Sequence, residues 1–150
     1  MTWNDLADLP FAGVLRIHQG DLAPAEVYEG AHFDKLDLDR PDAHGSRFLE
    51  CAFTRASIQE GQLRRAQFTD VWLRDVRLIS TTLAESGWTG AEVTGSVVAG
   101  VEAFAARLRR VSLRGCKLDS VNFRDAVTTA QLMDLAPLLA EGMGLTVADG

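Results

Sequence analysis

From Phe33 to Phe123 a large apolar residue stands at nearly every fifth position, with no insertion or deletion. The series reads Phe33, Leu38, Ala43, Phe48, Phe53, Ile58, Leu63, Phe68, Leu73, Leu78, Leu83, Trp88, Val93, Val98, Ala103, Leu108, Leu113, Leu118 and Phe123. Only Ala43 and Ala103 fall short in size. Two residues before each stands a second set, small or β-branched apart from Leu36 and Pro41, running from Ala31 through Ser46, Cys51, Thr81 and Ser96 to Val121. The three remaining positions of each unit collect nearly all the Arg, Asp, Glu, Gln and Lys. An α-helix turns roughly 500° over five residues and a β-strand alternates faces, so neither returns this pattern to one side. The pattern predicts a chain that turns a corner once per five residues and points one large and one small side chain inward each time.

The units "CAFTR" (51–55), "AQFTD" (66–70), "VSLRG" (111–115) and "CKLDS" (116–120) resemble those of the pentapeptide-repeat proteins of the A(D/N)LXX type. The resemblance implies an all-β solenoid, a right-handed quadrilateral parallel β-helix with four units per coil. Residues 20 apart then stack, and coils rise by about 4.8 Å, giving a rod of roughly 23 Å. The large columns become Phe33–Phe53–Leu73–Val93–Leu113, Leu38–Ile58–Leu78–Val98–Leu118, Ala43–Leu63–Leu83–Ala103–Phe123 and Phe48–Phe68–Trp88–Leu108. In that wrapping the undersized Ala103 offsets the oversized Trp88 on the neighbouring side, holding core volume constant.

The repeat divides the chain into an N-terminal cap over 1–30, a β-helix over 31–125, and a C-terminal helix and tail over 126–150 that cap the rod. Caps are needed because an open β-helix exposes unpaired strand edges and its apolar lumen. In the N-terminal segment one helical turn and a short strand around Val14 to Ile17 are expected. In the C-terminal one, Thr128 or Thr129 serves as N-cap and Leu132, Leu135, Ala136 and Leu139 share a helical stripe, with Pro137 kinking it. Leu145 and Val147 alternate as a terminal strand.

The net charge of −6 is unevenly placed. Residues 31–125 hold 14 of the 15 Lys/Arg, all but Arg16, and 13 of the 21 Asp/Glu, so the rod is near +1 and the acidity belongs to the ends. Within the rod, Asp34, Asp37, Asp39 and Asp42 come early, while Arg107, Arg109, Arg110, Arg114 and Lys117 come late. Cys51 and Cys116 both take the small inward position, three coils apart and beyond disulfide reach, which predicts two buried thiols in a reducing, cytoplasmic setting. The start of the chain lacks a secretory pattern, and no apolar stretch is long enough to span a membrane.

Candidate chemistry is sparse. "HFDKLDLDRPDAHG" gathers His32, Asp34, Asp37, Asp39, Asp42 and His44, but its spacing does not fit a calcium loop, and a solvated face is expected with no metal. Gly90, Gly95 and Gly100 recur at unit ends and read as corners rather than a phosphate loop. The three histidines lie far from Cys116, so no nucleophile–base set forms; no catalytic residue, cofactor or enzymatic activity is expected. "RLRRVSLRGCK" lacks aromatic interleaving and reads as a solvated cationic collar rather than a nucleic-acid site. Four outward positions are unexpectedly apolar: Ile79, Val97, Ala99 and Phe104, in and around the stretch "SGWTGAEVTGSVVAGV", whose one charge is Glu92. They mark a candidate interaction patch for a self-dimer or another protein. The expected function is therefore a protein-interaction or structural module whose partner the sequence does not name. The alternative drawn from the resemblance is a DNA-mimicking, gyrase-binding protein of the quinolone-resistance type. Duplex mimicry asks for about one negative charge per 1.7 Å of axis, and a rod near +1 does not supply it.

Overall fold

The computed structural model describes residues 5–129 and 145–148. Within the rod the units on three sides form strands that pair in parallel with the backbone 20 residues on: Phe33 with Phe53, Leu38 with Ile58, Phe48 with Phe68, Trp88 with Leu108. The third of the inward columns is joined by single bridges, Asp42 to Gln62 to Thr82 to Glu102 to Asn122. Twenty residues per coil and a corner every five give a section with four sides, so the fold is an all-β parallel solenoid.

The corner has one conformation throughout. Every fifth residue from Gly20 to Asp125 has positive φ, and fifteen of these are not glycine. Left-handed backbone costs an L-residue about 1–2 kcal/mol. The cost is sustained because neighbouring coils hold the corner from both sides; Arg55 N–H, for example, donates to the Arg74 carbonyl at 3.0 Å. Gly90, Gly95 and Gly100 take the same turn at φ 73°, 60° and 64° as Arg55 does at 50°. Residue type therefore does not select the corner; the repeat does.

The small inward residues close the corner chemically. Ser96 Oγ accepts from the Val76 N–H at 3.0 Å and donates to the Thr94 carbonyl at 3.1 Å. Thr81 does the same between Gly61 N–H (3.2 Å) and the Ile79 carbonyl (3.0 Å). A hydroxyl here satisfies backbone groups that the turn removes from the strand ladder, as Ser46 also does for the Glu26 N–H and the Ala23 carbonyl, whereas the buried Ser86 accepts from the Trp88 indole at 3.0 Å.

The large inward residues fill the lumen as expected for Phe33, Phe48, Phe53, Ile58, Leu63, Phe68, Leu73, Leu78, Leu83, Trp88, Leu108 and Phe123, whereas Leu113 and Leu118 are only half-buried. Tyr28 already belongs to this interior, stacked on Phe48 with centroids 5.0 Å apart, and Val27–Glu29 pairs with Arg47–Leu49. Coil geometry therefore begins before Ala31. Trp88 and Ala103 do not fully offset one another: both line an apolar cavity of about 60 Å³ in the later coils.

Ahead of the rod come two 3-10 turns, Leu6–Asp8 and Ala12–Val14, and a strand, Arg16–Ile17, paired with Ala31–His32. Leu9 and Phe11 fold onto the outside of the rod and bury Ala52 and Trp72, neighbours in register, beneath them. Glu92, one coil beyond Trp72, is 4% exposed, so this outward position does not face water as its place in the unit implies. At the other end Ala126–Thr129 continues the coil and pairs with Leu145–Ala148, the expected terminal strand. The helix expected through Leu132, Leu135 and Leu139 lies outside the described residues.

Candidate interaction surface

Val98 points inward, so its neighbours Val97 and Ala99 point out. The Val97–Ala99 strand lies between Arg77–Ile79 and Lys117–Asp119, which places Ala99 on Ile79 and sets Val97 between Arg77 and Lys117. Ile79, Val97 and Ala99 are half-buried. Past the Gly100 corner, Phe104 is 38% exposed and sits one coil above the buried Ala84. The Arg124 guanidinium lies 6.0 Å from its ring centroid, at the outer limit of a cation–π contact. The sequence-predicted patch is thus one apolar column and a neighbouring aromatic ring, edged by Arg77, Lys117, Asp119 and Arg124. Among the described residues Phe104 is the one exposed Phe, Tyr or Trp.

The acidic stretch separates into small local groups. His32 Nε2 is 2.7 Å from Thr54 Oγ1, and Thr54 donates to Asp34 Oδ1 at 2.6 Å; Arg55 also reaches Asp34, at 2.9 Å. The Thr54 bond, then burial working against it, then Arg55, leave the Asp34 carboxyl below its ordinary value. Burial lowers His32, partly opposed by Asp34. The Thr54 proton is committed to Asp34, so His32 donates to the hydroxyl and does not draw a proton from it; Thr54 is not an activated nucleophile. Asp42 pairs with His44 Nδ1 at 2.7 Å, and Asp37 and Asp39 stand outward on their own strand. Among the described residues no three His, Cys, Asp or Glu come together as a metal site would require.

His32, Thr54, Arg55 and Trp72 line a crevice of about 320 Å³ where the N-terminal turns meet the rod. Sequence reasoning does not reach it, because Trp72 falls at one of the three outward positions of its unit and the N-terminal turns have no assigned face. The signal was there: Ala52 and Trp72 are apolar, outward and 20 apart, and Leu6, Leu9 and Phe11 precede the rod.

Cys51 is buried, whereas Cys116 is half-buried, not buried as its inward position implies; both are free. Burial pushes the Cys51 thiol up to about 11 and raises Cys116 as well. Each S–H donates to a carbonyl of the preceding coil, Cys51 to Tyr28 at 3.2 Å and Cys116 to Val93 at 3.3 Å. They act as the serines do, as corner donors, and not as thiolates.

The late cations follow the turning backbone. Arg107 and Arg109 flank the inward Leu108 on one side, Arg110 stands at the corner, Arg114 is on the next side, and Lys117 begins the third. All five are exposed. No described helix is long and apolar enough to cross a membrane.

No family model matches the chain, and no curated protein matches it. Solved structures do resemble it. A pentapeptide repeat protein of the Arabidopsis thaliana thylakoid lumen aligns over 79% of this chain and 74% of its own, with TM-score 0.48 and 18% identity. One from the cyanobacterium Cyanothece 51142 aligns over 83% and 92%, with TM-score 0.35 and 14% identity. QnrB1, a plasmid-mediated fluoroquinolone resistance protein, aligns over 88% and 87%, with TM-score 0.36 and 12% identity. The fold rests on this chain's own register, its 20-residue pairing and its recurring corner. On those grounds the chain is a four-sided parallel β-helix, built from five-residue units like those of the pentapeptide-repeat proteins it resembles.

Proposed function

We propose that the chain is a non-catalytic protein-interaction module, with Ile79, Val97, Ala99 and Phe104 at the apolar centre of its contact face. The observation that carries this reading is Phe104, an exposed aromatic ring on a rod whose other described aromatic residues are covered. A ring held outward beside a weakly charged column gives a partner a rigid anchor at small entropic cost. The short His32–Thr54–Asp34 relay lends no support to catalysis, since its hydroxyl is hydrogen-bonded the wrong way for attack. Duplex mimicry is not favoured either, because the late coils carry five exposed cations where a phosphate-like field would be needed.

The test pairs Val97→Lys with Phe104→Glu. Both side chains leave the rod, so circular dichroism and melting temperature should change little. Light-scattering mass, or the set of proteins cross-linked to the chain in a native lysate, should change. If both stay as in wild type, this face is not an interface.

A further inference from the structure

Among the described residues the five late cations form no ion pair. The pairs Arg40–Glu60, His44–Asp42, Arg55–Asp34, and Arg64 and Arg65 with Glu85 all lie in the first part of the rod. Arg114 bonds the Ser112 hydroxyl at 3.1 Å, and Arg107, Arg109, Arg110 and Lys117 form no ion pair. Like charges set close along one strand repel and weaken the isolated rod. Beneath them in register lie Gly87 and Thr89, with Gly90 at the corner, a shelf of small residues over which the Gln67 amide reaches at Gly87 and Arg110 at Gly90. Asp70 brings one carboxylate oxygen to the edge of that shelf, beside Gly90.

We propose that this collar binds an extended acidic segment of a partner protein, laid across the shelf and bent around the rod. The cations pass two corners and occupy three sides, a path that a flexible segment of about eight residues, reaching roughly 26 Å, can follow. Guanidinium groups present forks that fit carboxylates two oxygens at a time. A straight DNA duplex touches one side at a time and would meet only part of the set. A single strand needs stacking platforms, and the one exposed ring, Phe104, already lies under Arg124. A second copy of this chain offers less than its composition suggests, since Asp34 and Asp42 are already engaged by Thr54, Arg55 and His44.

The collar meets the Val97–Phe104 face at Lys117, which pairs with Val97, while Arg107, Arg109 and Arg110 lie off that face, and one experiment distinguishes them. The probe is fluorescein-labelled octaglutamate, followed by anisotropy against the full chain, beside an octaserine peptide and a short DNA duplex. Octaglutamate should bind, weakening about tenfold as salt rises from about 50 to 200 mM. Arg107→Glu with Arg109→Glu and Arg110→Glu should weaken it at least about tenfold. The matched early-half set Arg16→Glu, Arg40→Glu and Arg47→Glu, and the Val97→Lys/Phe104→Glu variant, should each change it less than about threefold. No octaglutamate binding at low salt, equal loss in both charge-reversal sets, or tighter binding to the duplex would each overturn the proposal. So would a low-salt doubling of mass that charge reversal abolishes, which would assign the collar to a second copy instead.

Discussion

The two halves of the rod share one inward register and differ in almost everything built on it. In the early half the lumen is a ladder of rings. Tyr28, Phe48, Phe68 and Trp88 stack at 5.0, 4.8 and 3.8 Å, with Phe33 on Phe53 at 4.5 Å beside them. Ion pairs tie its surface, and the N-terminal turns cover one outer face. Between Trp88 and Phe123 the lumen is aliphatic and borders the 60 Å³ cavity, and the surface carries an exposed ring and cations that form no ion pair among the described residues. Aromatic side chains stack at close to the strand spacing, so a column of them fills the coil without gaps, whereas Val93, Val98 and Ala103 do not reach the axis. One half ties its surface down with ion pairs and a covering segment, and the other has neither among the described residues.

The sharpest test truncates one inward residue in each half. Phe68→Ala removes a ring held between Phe48 and Trp88 and should cost about 3–5 kcal/mol. Leu113→Ala, at a half-buried position near the cavity, should cost about 2 kcal/mol or less. Denaturant midpoints measure both. Equal losses would erase the distinction between the halves.

Trp72→Ala comes next. It strips the platform under Leu9 and Phe11 and should cost about 3 kcal/mol. Limited proteolysis should then cut within residues 5–17 before it touches the rod. A variant that keeps wild-type resistance there would show that the turns are held by something other than this cluster.

These two sites also mark what the sequence could and could not tell. Phe68 is legible because a period of five admits no regular element except a coil that brings every fifth residue inward. Trp72 is not legible in the same way, because period alone says that a residue faces out, not that another segment lies over it. Reading the outward positions as columns 20 apart would have exposed the Ala52–Trp72 strip. The hydroxyl bonds of Thr81 and Ser96 were beyond reach, since a small residue at the corner reads the same whether or not it donates. So was the cavity, which depends on how far Val93 and Val98 fall short of the axis. Of the candidate surface, the apolar column and the collar were legible from residue type and register. That the collar forms no ion pair among the described residues needed the positions of the carboxylates described around it.

A smaller pair of effects carries opposite signs. Ala43 and Ala103 occupy the same inward column, but only Ala103 borders the cavity. Ala103→Val adds two carbons to empty space and should stabilise by about 1 kcal/mol. Ala43→Val adds them to a fully buried site in the early half and should cost about 1–3 kcal/mol. Thermal melts of the two variants read the sign directly. If both destabilise, the late lumen is as full as the early one.

The smallest effect is a pH dependence that, on the acid side of neutrality, comes from shifted groups of the early half. His32 lies below its ordinary value because burial disfavours its charged form. The unfolded chain therefore takes up a proton at that histidine first, and stability falls as pH drops through about 6.5. Asp34 is also held low, chiefly by the Thr54 hydrogen bond and also by Arg55. Its contribution is present above the ordinary carboxylate value near 4 and is lost as pH falls below that, so the two windows do not overlap. The shifted groups of the late half work at the other end of the scale. Burial raises Cys116, so the unfolded thiol ionises first and stability is lost only as pH climbs past about 8.5, with Cys51 adding to the same alkaline limb. Melting temperature measured between about pH 7.5 and 5 should therefore decline gently in wild type. His32→Gln keeps a donor for Thr54 and removes the titration, so its melting temperature should be flatter over the same range. If the slope survives that change, the proton uptake belongs to another group and His32 does not couple the early half to pH.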